Sequence, residues 1–481
     1  MLCTPPGKTT EKWPPLGLLY IAASIKQKRK DEVEVVDAFC MNLSKDELVA
    51  RVKEYRPDVF GMNCSTHTYL QAIEVYKDLS NQMPDMKLVL GGYHATFASE
   101  SILRQNPFID FIIKGEAEEA FPMLLDHIEK GTEPMDVAGI SYLKDGQQIN
   151  NKLALIEKLD PLPSPDRTML KGVEYGYHHS GIPLTFGKFT TMSTSRGCPY
   201  DCRYCSCAAF SLRHWRYRSA ESVVSEMEEL QRQGYKSVVL VDDNFTQRPD
   251  RVFQICDLME EKGIHLRLYC EGRVNTAGLD MLKRMKQVGF DVIYFGCESA
   301  SPKVLEYYNK RINPDMIAQA VGNAKEAGMI VLTSFILGAE IETKEDMEQT
   351  LQFIRRLRPH AVEINILDYL VGTPLWNEAV EKGIIKPEDW TTNHRVFEYG
   401  LSPLDKDGLQ QMVNEGYDTY LDAWKNRQGV KELFRLIRRN GTARQIIFSN
   451  IFNRDARAAV MNGIKPFEEK KPVPEKLELA K

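Results

Sequence analysis

The 481-residue chain is too long for one ordinary domain, so two or three domains are expected. Its 43% hydrophobic and 27% charged residues describe an ordinary globular protein, and a net charge of −5 speaks against a nucleic-acid binder. No apolar run approaches the ~20 residues that span a bilayer and no signal-peptide pattern opens the chain, so no transmembrane segment and a cytoplasmic location are expected.

Residues 1–135 alternate short β-branched runs with amphipathic stretches. Glu32–Val36, Asp58–Asn63, Lys87–Leu90 and Phe108–Ile113 read as strands, and Lys45–Tyr55, Leu70–Gln82, Ser99–Gln105 and Glu119–Lys130 as helices. Apolar strands alternating with helices mean a parallel sheet covered on both faces, here with the size of a five-stranded, doubly wound, flavodoxin-like α/β domain. Over 136–188 the periodicity fades and prolines collect, as in Asp160-Pro-Leu-Pro-Ser-Pro-Asp166, so an irregular linker is expected.

Alternation resumes over 189–372. Strands are read at Thr190–Thr194, Ser237–Val241, His265–Tyr269, Val292–Gly296, Ile330–Leu337 and Ala361–Ile366. Helices fit between them at Ala220–Gln233, Arg251–Lys262, Gly278–Gln287, Asp315–Ala327 and Lys344–Arg358. Six such units over ~180 residues fit a partial (β/α)6 barrel, whose working face is the carboxyl edge of its strands. Residues 373–470 read as mostly helical. Arg435, Arg438, Arg439, Arg444, Arg454 and Arg457 crowd there, either as a solvated face or as a site for an anionic substrate or acidic partner. Residues 471–481 read as a disordered tail.

Ten cysteines are too sparse for a disulfide scaffold in a chain this long, and clustered ones point to metal or redox chemistry. Cys198, Cys202 and Cys205 lie in Arg196-Gly-Cys-Pro-Tyr-Asp-Cys-Arg-Tyr-Cys205, after a predicted strand and before a helix. Thiolate is the soft ligand that iron–sulfur clusters need, and three of them leave one iron open. Zinc is the rival, but structural zinc takes four protein ligands, and Cys207 follows Cys205 too closely to complete a tetrahedron well.

This CxxxCxxC spacing, with Tyr204 before the last cysteine, resembles the signature of the radical S-adenosylmethionine (SAM) superfamily. The resemblance implies that the trio holds a 4Fe–4S cluster, that the open iron binds SAM, and that reductive cleavage yields a 5′-deoxyadenosyl radical. It also marks later strand ends as SAM contacts. Asp242, Asp243 and Asn244 would meet the amino group, though such a run also suits a helix cap. Arg273 would pair with the carboxylate, and Glu298 and Ser299 with the ribose. Gly338 opens a stretch that passes the adenine, where Ala339, Glu340 and Ile341 replace the relatives' usual Leu-Pro-Gly.

Residues 1–130 resemble the cobalamin-binding domain of one branch of that superfamily. Pro14–Ala22 resembles its opening helix. Ser65, Thr66, Gly91, Gly92, Tyr93, His94, Gly115 and Glu116 fall in loops beyond strand carboxyl ends, where open α/β sheets bind ligands. Tight turns in a domain that merely caps the barrel would leave the same marks. The cobalt-ligating Asp-x-His-x-x-Gly motif is replaced by Asp37-Ala-Phe-Cys-Met-Asn42, so cobalamin here would lack a histidine lower ligand, with His67 and His94 as nearby polar contacts.

Both resemblances together imply a cobalamin-dependent radical SAM methyltransferase acting on an unactivated carbon or phosphorus centre. One SAM would methylate cobalamin, a second would supply the radical, and methylcobalamin would deliver the methyl group. The substrate would be a small molecule, lipid or peptide, and the reductant a flavodoxin or ferredoxin. Two alternatives remain open: cyclisation, ring rearrangement or dehydration without methyl transfer, and a non-catalytic iron–sulfur or zinc scaffold.

Overall fold

The computed structural model describes residues 1–9, 12–176, 178–179, 182–391 and 394–445; Arg454, Arg457 and the expected tail lie outside them. Seven strands build the first sheet: β1 (Leu2–Cys3), β2 (Val35–Val36), β3 (Val59–Asn63), β4 (Lys87–Gly91), β5 (Phe111–Ile113), β6 (Ile140–Lys144) and β7 (Gln147–Asn150). Their order is β2-β1-β3-β4-β5-β6-β7, with the first five parallel. That is the flavodoxin-like order, reversing between β1 and β3.

Strand residues alternate between two apolar layers because both faces are covered. Leu2, Val35, Val89 and Ile113 pack against α1 (Leu16–Lys28) and α5 (Ala120–Lys130). Cys3, Val36, Leu88, Leu90 and Ile112 pack against α2 (Lys45–Tyr55), α3 (Tyr69–Gln82) and α4 (Tyr93–Gln105). Each fully buried leucine, such as Leu19 or Leu48, contributes about 1.5–3 kcal/mol relative to exposure. Helix α2 spans its predicted residues because Ser44 and Glu47 form a reciprocal capping box and Arg56 closes it at φ 52°.

Two differences from expectation in this unit go beyond element ends. Helix α4 begins six residues early, at Tyr93, and kinks at Ala98. The stretch read as an irregular linker supplies the antiparallel hairpin β6–β7, so the sheet has seven strands rather than five. Asp145 and Gly146 turn that hairpin at φ 50° and 75°, the two positive angles of a type I′ turn. An Asp-Gly pair between half-apolar runs was the overlooked signal. A second small hairpin follows, β8 (His178–His179) with β9 (Ile182–Pro183).

The second unit is an open barrel of six parallel strands. Strand β10 (Phe189–Met192) is followed by an antiparallel ribbon, β11 (Ser195–Arg196) with β12 (Arg216–Tyr217), which closes a loop holding α6 (Ser206–Phe210). Then come α7 (Ala220–Arg232), β13 (Ser237–Leu240), α8 (Pro249–Glu261), β14 (Arg267–Gly272), α9 (Leu279–Gln287) and β15 (Phe290–Glu298). After α10 (Pro302–Tyr307) and α11 (Pro314–Ala327) follow β16 (Ile330–Leu337), α12 (Lys344–Leu357) and β17 (Ala361–Ile366). Phe189, Val239, Tyr269, Val292, Ile330 and Leu332 fill the amino-terminal end of the lumen. Chemistry is thereby left to the carboxyl end.

The C-terminal helices are α13 (Pro374–Glu381), α14 (Lys406–Lys425) and α15 (Arg427–Arg439). Helix α14 lies so close to the barrel that a Cβ on Gly416 would sit 2.5 Å from Ile364. No helix of the described residues is long and apolar enough to cross a membrane.

Candidate functional site

The ribbon β11–β12 presents Cys198, Cys202 and Cys205 on the loop that leads into α6, above the carboxyl ends of the barrel strands. All three are free thiols; Cys202 is buried and the others half-buried. Gly197 starts the loop at φ 82°, where a Cβ would lie 2.3 Å from the His214 carbonyl. Its amide donates to Asp243 at 2.9 Å, tying the loop to the end of β13. The Cys207 thiol hydrogen-bonds Cys205 and pulls the Cys205 thiol below its ordinary range, while Cys207 itself moves up. Burial pushes Cys198 up to about 11. Among the described residues no three His, Cys, Asp or Glu side chains converge on one point. Soft, free thiols on one loop do suit a cluster, which spreads its ligands more widely.

Behind this loop stands a polar network. Tyr204 donates its hydroxyl to Glu298 (2.8 Å), and the Lys310 ammonium donates to Glu298 (2.7 Å) and to the Tyr204 oxygen (3.1 Å). A register shift in β15 and a φ of 66° place Glu298 there. The Arg273 guanidinium stacks 3.6 Å over Tyr200, donates to the Lys310 carbonyl at 2.5 Å and approaches the Cys202 sulfur at 3.6 Å.

The remaining expected contacts divide. Asp243 is exposed to the cleft, where it accepts the Gly197 amide. Asp242 turns inward and accepts from the Thr194 amide and the Thr194 and Ser195 hydroxyls at 2.5–2.6 Å. Asn244, fully buried, bonds Gln247, and Ser299, also fully buried, bonds the Ser301 amide. These three are not brought to the cleft; each finishes its hydrogen bonds inside the barrel wall. Gly338 sits at φ 96° under Val396, with its amide donated to Glu342 at 2.6 Å.

A cavity of about 380 Å³ lies between the two units, at the carboxyl edge of the first sheet. Ser65, Gly91, Gly92, Tyr93, Gly115 and Glu116 line one side, and Gly197, Cys207, Phe210, Val241 and Asp243 the other. Tyr93, 51% exposed, faces the Phe210 ring at 4.3 Å. Gly92 is required by the backbone: at φ 96° a Cβ would meet the Cys64 carbonyl oxygen at 2.5 Å. Thr66 and His94 do not line the cavity. They contact each other at 3.1 Å, while the buried His94 ring packs on Tyr69 and Trp390 and has its pKa lowered to about 4 by desolvation. Among the described residues no histidine lines the cavity.

Sequence reading missed several residues here. Arg216 donates to Glu116 at 2.7 Å and Arg196 to Glu118 at 2.5 Å, clasping the two units together. Burial would raise Glu116, but Arg216 and Arg196 outweigh it and hold its carboxyl low. Glu271, on β14, is pushed up to about 8 by burial and by the facing carboxylates Asp243, Glu363 and Asp242. Tyr294 donates to Glu363 at 2.7 Å in the same layer. Inward positions at alternate residues of successive barrel strands were the available signal, legible once strand ends are known.

The comparisons agree with this geometry. Residues 192–354 match the Radical SAM superfamily and residues 7–125 the B12 binding domain. An uncharacterized methyltransferase of Pyrococcus horikoshii is 32% identical over 85% of this chain and 87% of its own. The anaerobic magnesium-protoporphyrin IX monomethyl ester cyclase of Cereibacter sphaeroides is 27% identical over 76% of this chain and 60% of its own. The cobalamin-dependent SAM radical enzyme OxsB, solved with aqua-cobalamin and SAM, superposes with a TM-score of 0.69 at 15% identity, over 96% of this chain and 71% of its own.

The chain belongs to the radical SAM superfamily, in the branch that carries a B12-binding domain. It is a cobalamin-dependent radical SAM enzyme whose cofactors are a 4Fe–4S cluster, SAM and cobalamin.

Proposed function

We propose that the protein transfers a methyl group to an unactivated carbon or phosphorus centre of a small-molecule, lipid or peptide substrate, in the cytoplasm, with a flavodoxin or ferredoxin as reductant. One observation carries this reading: residues of the cysteine loop (Gly197, Cys207 and Phe210) and the glycine loops of the first sheet line one cavity. A methyl donor held by one unit and a radical source held by the other would thus face a shared space.

When bound, the cluster and SAM supply the radical and cobalamin the methyl group. The chain's own residues bind and orient. Cys198, Cys202 and Cys205 would hold the cluster. Asp243 would take the ammonium of SAM, Arg273 its carboxylate and Glu298 a ribose hydroxyl. Ser65, Gly91, Gly92, Tyr93 and Gly115 would border the corrin, with Phe210 closing the far side. The clasps Glu116–Arg216 and Glu118–Arg196 fix the spacing of the two units and help exclude water.

Anaerobic reconstitution with hydroxocobalamin tests this. The expected result is bound cobalt, with S-adenosylhomocysteine formed alongside 5′-deoxyadenosine; alanine at any of the three cysteines should abolish iron binding and SAM cleavage. Protein that makes 5′-deoxyadenosine without S-adenosylhomocysteine would favour the second reading, a cyclisation or rearrangement, which the likeness to the cyclase keeps in view.

A further inference from the structure

Helix α15 gives one side to the barrel and, among the described residues, leaves another uncovered. Glu432 pairs with Arg358 at 2.8 Å and Lys325 at 3.3 Å, and Gly429 is buried. Just past the helix, Asn440 donates to the carbonyls of Asp291 and Gly328, both at 3.1 Å, and Thr442 donates to the Asp291 carboxylate at 2.5 Å. These anchors set the rotation of the helix. They send Val430, Leu433 and Phe434 outward, 41%, 39% and 68% exposed, with half-buried Ile437 one turn on. Single exposed apolar residues need no account, but a stripe at helical spacing does.

Arg427, Lys431, Arg435 and Arg438 border that stripe, all exposed. The one acidic residue of the helix, Glu432, is already paired to the barrel, while the chain as a whole carries −5. Local positive charge beside an apolar stripe matches a surface that is negative outside and apolar just beneath, which is the chemistry of an anionic bilayer.

We propose that α15 is a membrane-surface contact that docks the protein on anionic lipid, with Phe434 and its stripe at the acyl boundary and the basic residues on headgroup phosphates. Leu436 and Ala443 pack into the cluster that closes the amino-terminal end of the barrel. That end therefore lies against the bilayer, and the cleft opens away from it.

The test is sedimentation of the full-length, cofactor-loaded protein with vesicles of phosphatidylcholine plus phosphatidylglycerol, against phosphatidylcholine alone. Binding is expected to be about tenfold stronger to the anionic vesicles and to fall as salt is raised. Phe434→Asp changes an exposed side chain, so its thermal midpoint should stay put while anionic-vesicle binding drops about tenfold; Arg435→Glu should weaken binding and flatten the salt dependence. Absence of binding, equal binding to both vesicles, or binding that neither variant alters overturns the proposal. So does a dimer that Phe434→Asp dissolves in protein that ignores vesicles, which would make the stripe a contact between copies, or selective capture of an acidic peptide instead of lipid.

Discussion

Two buried titrating side chains act on stability in opposite directions. Glu271 titrates near 8, well above the usual carboxylate range, because burial and facing carboxylates disfavour its charge. Its neutral form is stable at low pH, and that contribution drains away as pH rises from about 4.5 through 8. Glu271→Gln should therefore stabilise the apo protein by about 5 kcal/mol at about pH 9 and hardly at all at about pH 4. Denaturant titration at both pH values checks this, and an equal gain at both would refute it. His94 is the reverse case, held neutral by burial with its pKa near 4. Its contribution is present above about 6.5 and is lost as pH falls towards 4, at roughly 1.4 kcal/mol per pH unit. His94→Gln should flatten the stability profile in that window.

At the scale of the element, the cysteine loop depends on one backbone conformation. Gly197 combines φ 82° with a Cβ position 2.3 Å from a carbonyl oxygen, so no L side chain fits without moving the ribbon. Gly197→Ala should cost about 1–3 kcal/mol and lower the iron retained after reconstitution, read by thermal melting and iron analysis. Full iron content at an unchanged midpoint would show the loop to be more adaptable than this. The Tyr204–Glu298–Lys310 network braces the same loop from the opposite side, which explains an aromatic with a hydroxyl before the last cysteine better than packing alone.

For the whole molecule, the joints between units are buried ion pairs. Glu226 on α7 is 4% exposed and bonds both Arg218 and, at 2.8 Å, Arg167 from the connecting segment. Removing its charge strands two guanidinium groups away from water. Glu226→Gln should cost about 3–5 kcal/mol in a denaturant midpoint, whereas a loss below about 1 kcal/mol would mean that solvent reaches the joint. The Glu116 and Glu118 clasps belong to the same design, and they set the width of the cleft between the two units.

Periodicity and local chemistry were sufficient for much of this protein. Strands β16 and β17 and helix α2 have their predicted limits, because alternation, capping residues and turn residues act over a few neighbours. The cysteine loop was legible for the same reason: three cysteines within eight residues share one loop whatever surrounds it. Direction in space was not legible. Asp242, Asn244 and Ser299 are neighbours of cleft residues in the chain but face the barrel wall, since adjacent strand-end positions point to opposite sides. The Arg216 and Arg196 clasps, the raised carboxyl of Glu271 and the uncovered stripe of α15 exist only through segments remote in sequence. Long-range packing decides which charges meet, which lose water and which face outward, and no local pattern encodes that.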